Sequence, residues 1–130
     1  MTTIAEFITA RLDEDEQIAS AVIERAWTDT DDGVSNDGTR TNNVCWIPDS
    51  AQTWPIGEHI ARHDPSRALA DVAAKRRTLA RHTGEGHQCV KEIVGYSVQA
   101  WYDEDDPCPD LRDLAAPYAE LPGYKDEWRP

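Results

Sequence analysis

Apolar side chains recur at Ile4, Ile8, Leu12, Ala19, Val22 and Ala26, with Phe7, Ile18 and Ile23 beside them. That three- and four-residue spacing predicts a long helix over residues 3–26 with one buried stripe. Thr3 followed by Glu6 has the form of a capping box, in which each side chain satisfies an orphan donor at the helix start. The acidic run Asp13-Glu14-Asp15-Glu16 reads as a solvated face and a point where the helix could bend. Residues 27–48 change period: Trp27-Thr28, a turn-rich stretch over 29–38, then Asn43-Val44-Cys45-Trp46-Ile47, which predicts a β-hairpin around a mobile loop. A lone hairpin is marginal in water, so the first helix is expected to cover it.

Residues 58–63 read as a short helix or turn, and Asp64-Pro65 restarts the helical signal as cap and first position. The helix over 65–81 places Leu69, Val72, Ala73, Leu79 and Ala80 on one side and ends at Thr83-Gly84. Residues 83–108 read as a loop with a weak strand pattern over 93–102 and the acidic run Asp103-Glu104-Asp105-Asp106. Pro107-Cys108-Pro109 opens a short helix whose inward face is Leu111, Leu114, Ala115 and Tyr118, with Pro117 ending it. The remainder, with Tyr124 and Trp128, is an ordered tail along the surface. The expected fold class is α+β: long N-terminal helix, β-hairpin, second helix, loop with a candidate zinc site, short C-terminal helix and tail.

The length of 130 residues fits one small domain over 1–130. With 39% hydrophobic residues the chain is expected to fold rather than stay disordered. No apolar run reaches the ~20 residues that span a bilayer, and the N-terminus lacks a signal peptide's basic start and apolar stretch, so a cytoplasmic protein without membrane contact is expected. Asp and Glu number 25 against 13 Lys and Arg, a net charge of -12, which disfavours nucleic acid as a partner. The basic residues concentrate in the second helix, at Lys75, Arg76, Arg77 and Arg81. These four could touch nucleic acid, but in so acidic a chain they fit better as charges balanced against the acidic ends.

Candidate chemistry concentrates at His82, His87, Cys89 and Cys108, ordered His-x4-His-x-Cys-x18-Cys. Imidazole nitrogen and thiolate sulfur are the donors that tetrahedral zinc prefers, and a metal there would pin two helices and the loop between them. The same residues also fit a surface histidine pair with two small buried thiols, since no CxxC knuckle is present. Cys45, between Val44 and Trp46, reads as core rather than ligand. His59 and His63 share a helix face, but no Glu follows His59 as a zinc peptidase requires, so they read as hydrogen-bonded residues near a helix join. A Cys89 nucleophile beside His87 lacks an assignable orienting group, and residues 103–106 lack the glycine and ligand spacing of a calcium loop. No phosphate-cradling loop, dinucleotide fingerprint or nucleophile elbow is present, and the five tryptophans are read as core and rim.

The run His59-Ile60-Ala61-Arg62-His63-Asp64-Pro65-Ser66-Arg67-Ala68-Leu69, the basic Lys75-Arg76-Arg77, and Cys108-Pro109-Asp110-Leu111-Arg112 through Trp128-Arg129-Pro130 resemble a family of small actinobacterial and actinophage proteins of unknown function. The opening 7–16 resembles the start of the same family. The resemblance implies a cytoplasmic protein of actinobacterial or phage origin and carries no activity with it. Where similar proteins often have further cysteines before the Cys-Pro-x-Leu-Arg run, this chain has Cys89, with histidines left as the other ligands.

The functional expectation is a non-enzymatic accessory or regulatory protein, stabilised by a structural zinc at His82, His87, Cys89 and Cys108, that binds a host or phage protein. The first helix could also mediate a homodimer. Two alternatives stay open: an acidic inhibitor that mimics nucleic acid in a basic groove of a host protein, and a small metal-dependent hydrolase with an open zinc position.

Overall fold

A computed structural model describes residues 2–48, 53–84 and 86–130, without the side chains of Arg40, Thr53 and Trp54. Among these residues the fold is α+β, with four α-helices and two small antiparallel sheets: α1 (Ile4–Ala21), β1 (Thr28–Thr30), β2 (Gly33–Ser35), β3 (Asn43–Trp46), α2 (Thr53–Arg62), α3 (Pro65–Arg81), β4 (His87–Ile93), β5 (Tyr96–Tyr102) and α4 (Pro109–Ala115). No helix among the described residues is long and apolar enough to cross a membrane. The chain divides into two compact units, residues 1–14 with 73–130 and residues 15–72.

In the first unit, the capping box forms as the sequence predicts: Thr3 N–H donates to Glu6 Oε2 at 2.8 Å and Glu6 N–H to Thr3 Oγ1 at 3.2 Å. The stripe of this part of α1, Ile4, Phe7, Ile8 and Leu12, is buried. The acidic run does not break the helix; Asp13 pairs with Arg76 at 2.6 Å and Glu14 with Arg11 at 2.9 Å, so both charges are compensated on the helix surface. Leu111, Ala115 and Tyr118 are buried as expected, while Leu114 is half-buried, and Pro117 lies in a 3-10 turn that follows α4.

The chain's end differs from a surface tail. Trp128 is buried and packs its ring 5.4 Å from Phe7, with Tyr124 edge-on to both, so the three rings form part of the core. Gly123 permits this, since its φ of +92° turns the chain beneath the Phe7 ring and a side chain there would be strained. Edge-to-face packing is favourable for such rings beyond the area they bury.

The loop expected over 83–108 is largely a β-ribbon. β4 and β5 pair in continuous register from His87↔Tyr102 to Ile93↔Tyr96 around a tight turn where Gly95 takes φ +89°. The strand was masked in the sequence because β4 alternates without an apolar inner face: its inward positions at the base are His87 and Cys89, which score as polar.

In the second unit, α1 stops at Ala21 rather than reaching residue 26. Arg25 folds back and donates from its guanidinium to the carbonyls of Ser20 and Val22, satisfying helix-end acceptors that a further turn would otherwise have used. Ile18 and Ile23, predicted beside the buried stripe, are exposed. The predicted hairpin is a three-stranded sheet in the order β1-β2-β3, all antiparallel. Its central strand, β2, lies inside the segment read as a turn-rich loop, because only one of its three residues is apolar although all three are buried.

Asp64 caps α3 as predicted, accepting the Arg67 N–H at 2.8 Å through Oδ1. Its other oxygen accepts the Trp27 N–H at 3.1 Å, which fixes the chain entering β1 to the start of α3. α3 matches its predicted span, with Val72 and Leu79 buried, Leu69 half-buried, and Ala73 and Ala80 exposed. The 58–63 signal marks the end of α2, a helix that starts at Thr53.

Candidate metal centre

Three elements of the first unit deliver four donors to one point. His82 follows the last residue of α3, where Gly84 at φ +125° lets the chain turn back. His87 and Cys89 are two apart on β4, and strand alternation therefore puts both on one face of the ribbon. Cys108 is the residue before α4; its carbonyl accepts the N–H groups of Leu111 and Arg112, and Pro109 at the first helical position fixes the entry. Opposite Cys89 on β5 stands Ala100, and opposite His87 stands Tyr102, whose ring lies 6.4 Å away.

The ligand atoms of His82, His87, Cys89 and Cys108 all lie within 4.8 Å of one another, and these four are the grouping of metal-ligating side chains found among the described residues. His82 Nδ1 is 3.5 Å from Cys108 Sγ and 3.8 Å from Cys89 Sγ. Around a tetrahedral zinc, with Zn–S near 2.3 Å and Zn–N near 2.0–2.1 Å, a sulfur and a nitrogen stand about 3.6 Å apart. Cys108 is fully buried and the other three are half-buried.

Two further observations test the fit. His87 Nε2 is buried without a hydrogen-bond partner, although a buried imidazole nitrogen normally has one. A cation bound through that nitrogen would satisfy it. The donor set, two imidazoles and two thiols, is one that zinc uses in closed structural sites. The thiol of Cys89 is pushed up to about 11, first by burial and then by the Asp110 carboxylate it donates to and the neighbouring Cys108. The metal-free thiol is therefore protonated near neutrality, and a metal must displace that proton to be ligated there.

Asp110 is a site residue that sequence reasoning missed. Its Oδ2 is 3.3 Å from His82 Nε2 and accepts from the Cys89 thiol at 3.3 Å. The signal was its place two residues after Cys108, in the first turn of α4. Arg112, two residues further on, ties the surroundings together. Its guanidinium donates to Pro107 O at 2.9 Å, Glu127 O at 2.6 Å and Asp106 Oδ1 at 3.1 Å, joining the acidic loop, α4 and the chain's end. Tyr102, beside His87, is held protonated to higher pH by its burial and by the Asp106 charge.

The other candidates lie elsewhere. Cys45 is a free, half-buried thiol opposite Val34 in the β1–β2–β3 sheet. His59 and His63 pack ring to ring at 4.7 Å and join no ligand cluster, while Arg62 beside them pairs with Glu58. In the acidic loop, Asp103 Oδ1 accepts the N–H groups of Asp105 and Asp106, a local turn whose carboxylate is used by its own backbone. Of the basic residues of α3, Arg76 is paired with Asp13, Lys75 sits over the Tyr118 ring and Arg81 donates to Thr78 Oγ1.

No curated protein and no solved structure matches the chain. A family model does match, across residues 1–130, and the chain belongs to that family, described as "Family of unknown function (DUF6221)".

Proposed function

We propose that the chain is a non-enzymatic accessory module, stabilised by one structural zinc at His82, His87, Cys89 and Cys108, that acts by binding another protein. The observation that carries this reading is the convergence of two imidazoles and two thiols from three separate elements, with the buried His87 Nε2 left unpartnered. Four protein donors fill a tetrahedral shell, which is the composition of a structural site; a hydrolytic zinc keeps a position open for water. The β4–β5 ribbon supports the binding half of the reading. Val90, Ile93, Val94, Tyr96 and Trp101 are exposed on it, more apolar side chain than a two-stranded ribbon needs for its own pairing.

Affinity capture tests the function. The zinc-loaded chain is expected to retain a protein partner that neither the chelated chain nor a Val94→Ser/Tyr96→Ser variant retains, with the variant melting within about 0.5 kcal/mol of wild type because both positions are exposed. Equal recovery by all three, or hydrolytic turnover by the zinc-loaded chain, contradicts the proposal.

A further inference from the structure

We infer that Asp110 is a positioning residue for the metal centre: its carboxylate fixes the proton of His82 on Nε2 and so presents the Nδ1 lone pair to the metal. The inference rests on the zinc reading above. A neutral imidazole carries one N–H and one lone pair, and which nitrogen holds which is set by its hydrogen-bond partners. Asp110 Oδ2 lies 3.3 Å from Nε2, where a carboxylate oxygen is matched by an N–H and not by a second lone pair. The opposite nitrogen, Nδ1, is the one that faces the Cys108 and Cys89 sulfurs at 3.5 and 3.8 Å. The demands of the carboxylate and of a cation among the sulfurs therefore select the same tautomer. A carboxylate behind a ligating histidine also raises the basicity of the ring.

The local fold makes the arrangement stiff. Cys108 and Asp110 stand on either side of Pro109 at the start of α4, where the Cys108 carbonyl is held by two backbone N–H groups. One turn of chain thus carries both a donor and the group that orients another donor from α3. Asp110 also accepts from the Cys89 thiol; when a divalent cation takes the place of that proton, which leaves to solvent, the carboxylate retains His82 as its partner.

The test is a Co(II) and Zn(II) titration of the metal-free full chain under reducing conditions, for wild type, Asp110→Asn and Asp110→Ala, beside nitrogen NMR of the His82 ring. Wild type is expected to give the thiolate-to-cobalt absorption of a tetrahedral site, with the His82 proton on Nε2. Asp110→Ala is expected to bind about 10- to 100-fold more weakly. Its metal-free ring should populate both tautomers, with only the small fall in metal-free melting temperature that loss of the Cys89 contact and of a first-turn carboxylate explains. Asp110→Asn, whose amide oxygen still accepts, is expected to recover part of the affinity and the Nε2 proton. Wild-type binding with Asp110→Ala within twofold, or a His82 proton on Nδ1, overturns the role of Asp110 alone. A wild type that binds neither metal overturns the zinc reading and this inference with it.

Discussion

In the β1–β2–β3 sheet the central strand is shut away from solvent, with Gly33, Val34 and Ser35 all buried, whereas the β4–β5 ribbon leaves Trp101 70% and Val94 99% exposed. Both sheets are antiparallel, yet they solve the marginal stability of small β-structure differently. The three-stranded sheet gains a third strand, the buried Val34, and a polar loop tied down by Asp37. That carboxylate accepts from the Thr39 N–H at 2.8 Å and the Thr39 hydroxyl at 2.7 Å, and from Asn42 and Ser35. Among the described residues the ribbon has no third strand. Its inward residues at the base are His87, Cys89 and Tyr102, so two of the positions that would hold core side chains hold candidate metal donors instead. The comparison teaches that a metal can take the place of a hydrophobic layer in a region too thin to build one.

The largest effect that could break this comparison is loss of a ligand. At a zinc activity a hundredfold above its dissociation constant, binding contributes about 2.7 kcal/mol. That is on the order of 10 °C in melting temperature for a chain of this size. Cys108→Ser is expected to lose about that much and to become insensitive to chelator, with amide protection lost first along β4 and β5. A thermal scan with and without chelator, joined to hydrogen exchange, measures both; a chelator response that survives the substitution places the stabilising metal elsewhere.

Val34→Ala sharpens the other side. Removing two buried methyl groups from β2 should cost ~2 kcal/mol. The cost should be the same in zinc and in chelator, because none of the four donors is a residue of the β1–β2–β3 sheet. Denaturant unfolding in the two conditions checks this, and a zinc-dependent difference would mean that the two sheets are not independently supported.

The smallest effect concerns Asp37. Hydrogen bonds from Asn42 first, and then from the Thr39 hydroxyl and backbone, hold its carboxyl well below the usual carboxylate range. A depressed folded-state value contributes stability that is fully present above the unfolded value of about 3.9 and is lost as pH falls through the folded one. Asp37→Ala should therefore remove the Thr39 amide's protection already at neutral pH, whereas in the wild type that protection should persist below the usual carboxylate range and be lost only as pH falls through the depressed folded value. An unchanged acid profile at that amide would contradict the assignment.

Much of this architecture was legible because certain residues act locally. Thr3 with Glu6, and Asp64 with Pro65, announce helix starts through hydrogen bonds that involve only near neighbours, and both helices begin where those residues say. The four donors of the candidate metal centre were legible as residue types, and the fold brings them together. What stayed hidden depends on distant contacts. β2 is buried because its neighbours cover it, which Gly33-Val34-Ser35 does not advertise. β4 is a strand whose inner face is chemical rather than apolar, so a hydropathy pattern finds nothing at His87 and Cys89. Trp128 reaches the core by stacking on Phe7, a residue at the other end of the chain. Asp110 gave only the faint signal of its place two residues after Cys108, and its role shows once α3 and α4 bring it to His82.

Metal content tests the central claim most directly. Elemental analysis of untagged chain purified under reducing conditions, with Cys89→Ser and Cys108→Ser measured beside it, is expected to give close to one zinc per wild-type chain and almost none in either variant. A wild-type chain that is metal-free and melts at the same temperature with added zinc as with chelator would contradict the account.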